Sequence, residues 1–241
     1  MATPRIYCPG PITPNTSVTL DATSAGHLVR VLRMQNEDAI IVFDGQGHEY
    51  DASLCNVSKR SADAFIAALR KTEQTSPLHL HLGQVISKGD RMDFTIQKAT
   101  ELGIHDITPL WSQRCDVKLN QERLQKKCEH WQRVAISACE QSGRCHVPTI
   151  HAPQTLSDWL AQIQADCKLV LHPHNQSPLK EQAVPKSVAL LVGPEGGLSD
   201  DEVLLCQQRQ FNGLTLGPRI LRTETAALTA LAVLQYQWGD F

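Results

Sequence analysis

The chain has 241 residues, of which 41% are hydrophobic and 20% charged, and its formal net charge is -2. This length can bury a real core in one large or two modest domains, and the composition is that of an ordinary globular protein. Aromatic residues make up only 5%, which argues against a platform of many stacking rings; any contact with nucleic acid has to come from a local basic face rather than from overall charge.

In chain order, residues 6–7, 17–20, 39–43 and 64–67 are strand-like runs. Asp44-Gly45-Gln46-Gly47 is a hairpin turn signal. A short helix starting near Asp21 or Thr23 interrupts the strands and carries His27, Leu28, Val31 and Leu32 at helical spacing. Many short strands with one helix predict a small barrel. Residues 71–77 are polar, end in proline and read as a linker between domains at 1–72 and 77–241.

After Pro77 strands and helices alternate. Strands are predicted at 78–86, 107–110, 168–171, 188–192 and 214–216, and helices at 89–102, about 120–143, 156–163 and about 223–236. Gly103 stops the first helix. Asn120 can cap the long one, whose Leu124, Cys128, Trp131, Ala135 and Ala138 share a face. The strands at 188–192 and 214–216, apolar apart from Thr215, suit a parallel sheet covered on both faces, so this part is α/β.

Two glycine loops follow those last two strands. The first, Gly193-Pro194-Glu195-Gly196-Gly197, lets backbone N–H groups approach a ligand closely. Ser199 then caps a helix with Glu202 three residues on, a capping box. The loop matches neither the Walker phosphate loop nor the Gly-x-Gly-x-x-Gly fingerprint. The second loop, Leu216-Gly217-Pro218, leads to Ile220-Leu221, apolar side chains placed where a loop has no ordinary use for them. Those side chains suit a flat adenine ring, and the backbone suits its edge and a ribose. Side by side at the ends of parallel strands, the two loops would make a backbone-lined cofactor pocket.

The eight cysteines include no C-x-x-C pair and read as reduced cytosolic thiols packed as small apolar groups. Two His-x-His pairs, His79/His81 and His172/His174, each fall on one face of a strand. With no further ligand at metal spacing they read as structural, and no metal is expected. Met1 to Arg5 lacks the apolar stretch of a secretory signal, and no apolar run is long enough for a membrane helix. A cytoplasmic location is expected.

The chain resembles the bacterial RsmE family, knotted SPOUT-class methyltransferases that act on N3 of a uridine in 16S ribosomal RNA. The residues that carry the resemblance are Pro4-Arg5-Ile6-Tyr7, residues 27–34, Lys88-Gly89-Asp90-Arg91-Met92-Asp93, residues 97–103, residues 138–144 and the two glycine loops. It implies a SPOUT domain with a parallel sheet and a trefoil knot, a PUA-like N-terminal β-barrel that binds RNA, and a homodimer. It also implies S-adenosylmethionine held by Leu171, His172, Gly193, Pro194, Glu195, Gly196, Gly197, Leu216, Gly217, Ile220, Leu221, Arg222 and Thr223. Cys115 departs from the family pattern, in which serine is common after the arginine.

On this reading Arg5 and Arg222 hold or polarise the uridine, and Glu224 orients Arg222 or a proton-accepting water. Arg5, His27, Arg30, Arg33, Lys88, Arg91, Arg114 and Arg144 are candidate RNA contacts, because phosphate contacts supply much of the affinity. Lys88 and Arg91 sit at a helix start, where the macrodipole disfavours cations unless an anion is near. The competing readings are a SPOUT enzyme for tRNA or a ribose 2′-hydroxyl, and an RNA-binding assembly factor without catalysis.

Overall fold

A computed structural model describes residues 3–117, 121–172 and 183–241. The chain divides into two compact units. The first comprises Met1–Thr75 and Cys139–Val147, and the second Ser76–Ala138 and Pro148–Phe241. Asn120 and His174, singled out above, lie outside the described residues.

The first unit holds β1 (Arg5–Tyr7), β2 (Thr16–Thr19), β3 (Ala39–Phe43), β4 (His48–Cys55) and β5 (Asp63–Thr72) in the sheet order β1-β3-β4-β5-β2. β1 pairs parallel to β3, and the other neighbours are antiparallel. The described pairings form an open path with β1 and β2 at its ends. Tyr50, Ala52 and Leu54 of β4 alternate into a core shared with Ile6, Leu28, Ile40, Val42, Ala64 and Ile66. β5 is longer than the predicted run because His48 pairs with Thr72, so Lys71 and Thr72 belong to a strand rather than to the linker.

Helix α1 (Ala22–Gly26) is capped by Asp21, whose side chain accepts from the Thr23 and Ser24 amides. A π-helical turn at His27–Val31 follows. This turn changes the expected amphipathic face. Leu28 is fully buried, but Val31 is 67% and Leu32 42% exposed. The wider turn rotates the later residues out of the 3.6-residue stripe that the spacing suggested.

The second unit is a parallel sheet of β6 (His79–Val85), β7 (Asp106–Trp111), β8 (Thr149–Ile150), β9 (Gln154–Thr155), β10 (Cys167–Leu171), β11 (Ser187–Val192) and β12 (Asn212–Leu214). The order is β12-β10-β11-β6-β7-β8, with β9 also on β7. β11 shows why these runs lack polar alternation. Val188, Leu190 and Val192 join one core, with residues of α2 (Arg91–Glu101), α3 (Gln121–Ser142) and α6 (Thr223–Trp238). Ala189 and Leu191 join the opposite core, with α4 (Leu156–Gln162) and α5 (Asp200–Gln208). Each large side chain so buried contributes about 1.5–3 kcal/mol.

Gly83 of β6 has a specific task. A Cβ there would lie 2.6 Å from the Trp159 ring, so only glycine lets α4 pack this closely. The strand expected at 214–216 is instead β12, Asn212–Leu214, because β10 offers partners only through Leu171, which pairs with Leu214. Thr215 and Leu216 thereby leave the sheet. The chain runs from central β6 out to β7 and β8, then returns on the other side through β10, β11 and β12. His172, just after β10, and the segments after β11 and β12 therefore gather at the carboxyl edge of the sheet, where open α/β folds place their ligands. Among the described residues, no helix is long and apolar enough to cross a membrane.

Candidate active site

A cavity of about 320 Å³ lies beyond β10 and β12. Leu171 and His172 line one side, and Leu216, Gly217, Ile220 and Leu221 line another. Six of the residues expected to hold a cofactor thus surround one space. Gly217 has φ +81, a conformation that favours glycine. None of the backbone N–H groups of residues 216–221 donates to another described residue. Ile220 is 97% exposed, a state that an apolar side chain leaves when a flat apolar ligand covers it.

Four side-chain hydrogen bonds hold the first glycine loop and its anchor Thr223. Thr223 Oγ1 donates to the Gly193 carbonyl at 2.8 Å, and Gln84 Nε2 donates to Thr223 Oγ1 at 3.0 Å. Arg114 Nη1 donates to the Gly196 and Leu198 carbonyls at 3.1 and 3.2 Å. The capping box is present as expected: Ser199 Oγ accepts from the Glu202 amide, and the Glu202 carboxylate accepts from the Ser199 amide. Glu202 also accepts from the Gln113 amide, which ties α5 to the end of β7.

A second cleft, of about 710 Å³, is lined by Lys88, Arg91, Phe94, Arg222, Glu224 and Thr225. Residues 220–226 border both spaces: Ile220, Leu221 and Ala226 face the first, and Arg222, Glu224 and Thr225 the second. Arg91 Nη1 donates to Glu195 at 2.7 Å, and its Nε lies 3.9 Å from the Glu224 carboxylate. Those two carboxylates are the anions that offset a cation at the start of α2. Lys88 pairs with Asp116 at 2.6 Å.

Glu224 sits in the first turn of α6 with its side chain 13% exposed. Its Oε2 is buried without a hydrogen-bond partner among the described residues. Arg222, the N-cap residue of α6, is exposed and makes no side-chain capping bond. The anticipated Glu224–Arg222 contact is not formed. Arg222 has extended backbone (φ -64, ψ 154) and leaves the helix, so Arg91 is the cation beside Glu224.

Comparison with known proteins decides the family. A model of the RNA methyltransferase domain matches residues 74–235, and one of the RNA methyltransferase PUA domain matches residues 20–67. Ribosomal RNA small subunit methyltransferase E of Buchnera aphidicola is 36% identical over 99% of this chain and 95% of its own length. The chain belongs to the ribosomal RNA small subunit methyltransferase E family. Two solved structures are similar over 100% of both chains. A methyltransferase from Legionella pneumophila with bound SAM has 42% identity and a TM-score of 0.96. The Neisseria gonorrhoeae ribosomal RNA small subunit methyltransferase E bound to S-adenosyl methionine has 39% and 0.92.

In this chain, Arg5 does not have the free guanidinium that a substrate contact needs. Its Nε donates to Glu49 at 2.8 Å, and its Nη1 donates to the Cys139 carbonyl at 2.6 Å and the Glu140 carbonyl at 3.3 Å. The side chain is 11% exposed and lies over the Phe43 ring. Arg5 therefore compensates buried Glu49 and caps carbonyls in the last turn of α3, where a cation is favoured. The Arg144 carbonyl accepts from Arg5 at 3.5 Å. His27, Arg30 and Arg33 are exposed on the first unit, with the exposed apolar Val31 and Leu32 among them.

Gln84 was not singled out from sequence. It is fully buried between Gly83 and Val85 at the inner end of β6, and it reaches Thr223 across 139 residues of chain. A glutamine among leucines and valines is a sign of a buried polar partner, although it does not identify that partner.

Proposed function

We infer that this protein transfers a methyl group from S-adenosylmethionine to N3 of a uridine in 16S ribosomal RNA of the small subunit. The observation that carries the reading is the pair of spaces divided by residues 220–226: an apolar, backbone-lined cavity beside a cleft with two arginines and a buried carboxylate. The Legionella and Neisseria relatives hold the cofactor, and the curated relatives are named for small-subunit ribosomal RNA.

The residues fit this cofactor. Leu216, Ile220 and Leu221 offer apolar faces for an adenine, and the backbone around Gly217 offers groups for its edge and the ribose. The Thr223–Gly193 and Arg114–Gly196 bonds keep the first loop in place against the ligand. S-adenosylmethionine supplies an already activated methyl group, so the protein's work is positioning and charge control.

Arg222 holds a uracil carbonyl oxygen and stabilises the negative charge that develops when N3 loses its proton. Glu224 Oε2 accepts the hydrogen bond from N3–H and takes that proton as the new bond to N3 forms. Arg91 keeps the Glu224 carboxylate oriented into the cleft. Arg5 is not assigned to the reaction, because its guanidinium is committed within the first unit. The exposed His27, Arg30 and Arg33 contact RNA phosphates, and a paired uridine has to be flipped out to expose N3.

The same reading includes a trefoil knot in the second unit, closure of the first into a PUA-like barrel, a cytoplasmic location and a homodimer. Support for the dimer comes from Phe94, Val233 and Tyr236, which are 46%, 38% and 78% exposed on the packed helices α2 and α6. A partner covering Phe94 would close the wall of the arginine cleft. Light scattering on the purified protein checks the dimer.

Arg222→Ala and Glu224→Gln test the roles. Both are expected to bind S-adenosylmethionine within a few fold of wild type by calorimetry, and to methylate small subunits about 10²-fold more slowly. Variants that bind cofactor and RNA normally yet methylate at the wild-type rate would remove these assignments.

A further inference from the structure

The fold gathers histidines at the amino-terminal edge of the parallel sheet, the edge opposite the cofactor loops. His79 and His81 enter on β6, His105 and Asp106 at the start of β7, and His151 just after β8. His81 pairs in register with Asp106, and the His151 amide donates to the Ile107 carbonyl, so the ladder brings residues 25 to 70 positions apart together. His151 Nε2 lies 2.6 Å from Asp106 Oδ1, and His79 Nε2 lies 3.1 Å from Asp106 Oδ2. His81 and His151 stack with ring centroids 5.2 Å apart.

We propose that His81, Asp106 and His151, with His79 beside them, form a binding site for one divalent transition-metal ion of the zinc class. One ligand atom from each of the three lies within 4.8 Å of the other two. Ligands on a tetrahedral zinc, with bonds of about 2.0–2.2 Å, stand roughly 3.3–3.6 Å apart. The site therefore needs shifts of an ångström or so, chiefly an opening of the 2.6 Å Asp106–His151 contact to admit the ion. Two imidazoles and a carboxylate select zinc, cobalt, nickel or copper over magnesium and calcium, which prefer all-oxygen sites.

Three further observations support the site. The Thr108 hydroxyl lies 2.7 Å from His81 Nε2, the kind of contact that fixes the ring of a ligating histidine. The Trp159 ring packs edge-on against His81 from the other side. His81, Asp106 and His151 are all partly exposed, which leaves a path for an ion. His79 and His81 have no further ligands near them in sequence, and the parallel ladder supplies them from β7 and the segment after β8. The ion would tie β6, β7 and the segment after β8 together. It is a clamp on the sheet, distant from the methyl-transfer chemistry, and it does not depend on the functional reading above.

The test uses untagged full-length protein, stripped with a chelator and titrated with Zn²⁺ against a chromophoric competitor. One equivalent is expected to bind, and melting temperature should rise with free Zn²⁺ as linkage requires. Asp106→Asn and His151→Ala should abolish binding, and His79→Ala should weaken it by about tenfold, the scale of loss known for groups around metal sites. Cobalt substitution separates this site from the free cysteines: the expected spectrum lacks a thiolate-to-cobalt charge-transfer band. Long-range ¹⁵N–¹H spectra of wild type keep the test open if a variant fails to fold, because the ring nitrogens of His81 and His151 should shift on Zn²⁺ addition. No binding, a thiolate band, undiminished binding by folded Asp106→Asn or His151→Ala, or unmoved His81 and His151 signals would each overturn the proposal.

Discussion

Thr223→Val probes the link between the sheet and the first glycine loop. The substitution keeps the shape of a 6% exposed side chain and removes its hydroxyl. Two hydrogen bonds go with it, the 2.8 Å bond to the Gly193 carbonyl and the 3.0 Å bond from Gln84 Nε2. Gln84 is fully buried; its amide keeps a bond to the Val85 carbonyl but leaves one N–H without a partner. An orphaned buried donor costs about 1–3 kcal/mol. The half-buried Gly193 carbonyl can be rehydrated, so its loss falls at the lower end of about 0.5–1.5 kcal/mol. The sum is roughly 1.5–3.5 kcal/mol of unfolding free energy, read from the midpoint of urea denaturation at constant m-value. Thr223→Ser keeps both bonds and serves as the control. Calorimetry should also show weaker S-adenosylmethionine binding by Thr223→Val than by Thr223→Ser, because only the former frees the loop. Equal stability and equal affinity for the two variants would refute the claim that this hydroxyl organises the site.

Gly83→Ala should destabilise by about 1–3 kcal/mol, since its Cβ would meet Trp159 at 2.6 Å in a close-packed interior; a melting temperature equal to wild type would contradict that packing. Burial pushes the Cys139, Cys145 and Cys206 thiols up to about 12. Ellman's reagent on the native protein at pH 8 should therefore spare these three while reacting with the half-exposed Cys55 and Cys128, with all eight reacting after denaturation; rapid native labelling of Cys139 or Cys206, located by peptide mass spectrometry, would count against it. Burial also raises the Glu140 carboxyl, against the opposing hydrogen bond from the Tyr7 amide. A raised carboxyl makes the charged form costly in the folded state, a penalty that is full above the folded pKa and relieved as pH falls through it. Glu140→Gln, whose amide oxygen can still accept from Tyr7, should stabilise the protein at pH 8 and lose that advantage towards pH 4; a gain independent of pH would show that charge is not its source.

Much of the site was legible because it is built from local signals. The capping box needs only Ser199 and Glu202, three residues apart, and the apolar run of β11 fixes where the first glycine loop emerges, whereas β12 ends two residues earlier than its apolar run suggested. What escaped depends on distant partners. β4 carries a buried glutamate, which argues against a core strand until Arg5, 44 residues away, is found beside it. Arg5 itself looked available for substrate because the last turn of α3 that it caps lies 134 residues on. Gln84 and Thr223, and the histidines around Asp106, meet only after the parallel ladder is assembled. Val31 and Leu32 misled for a different reason: the apolar spacing is helical, but the π-turn at His27–Val31 changes the period that the spacing assumes.

The central claim is a methyl transfer to N3 of one uridine, and nucleoside mass spectrometry tests it most directly. Purified small subunits lacking the modification are incubated with this protein and isotopically labelled S-adenosylmethionine, and the ribosomal RNA is digested to nucleosides. Labelled 3-methyluridine approaching one per subunit is the predicted result, with strongly reduced yield from Arg222→Ala. Label in a 2′-O-methylated nucleoside, or no transfer by protein that binds the cofactor, would contradict it.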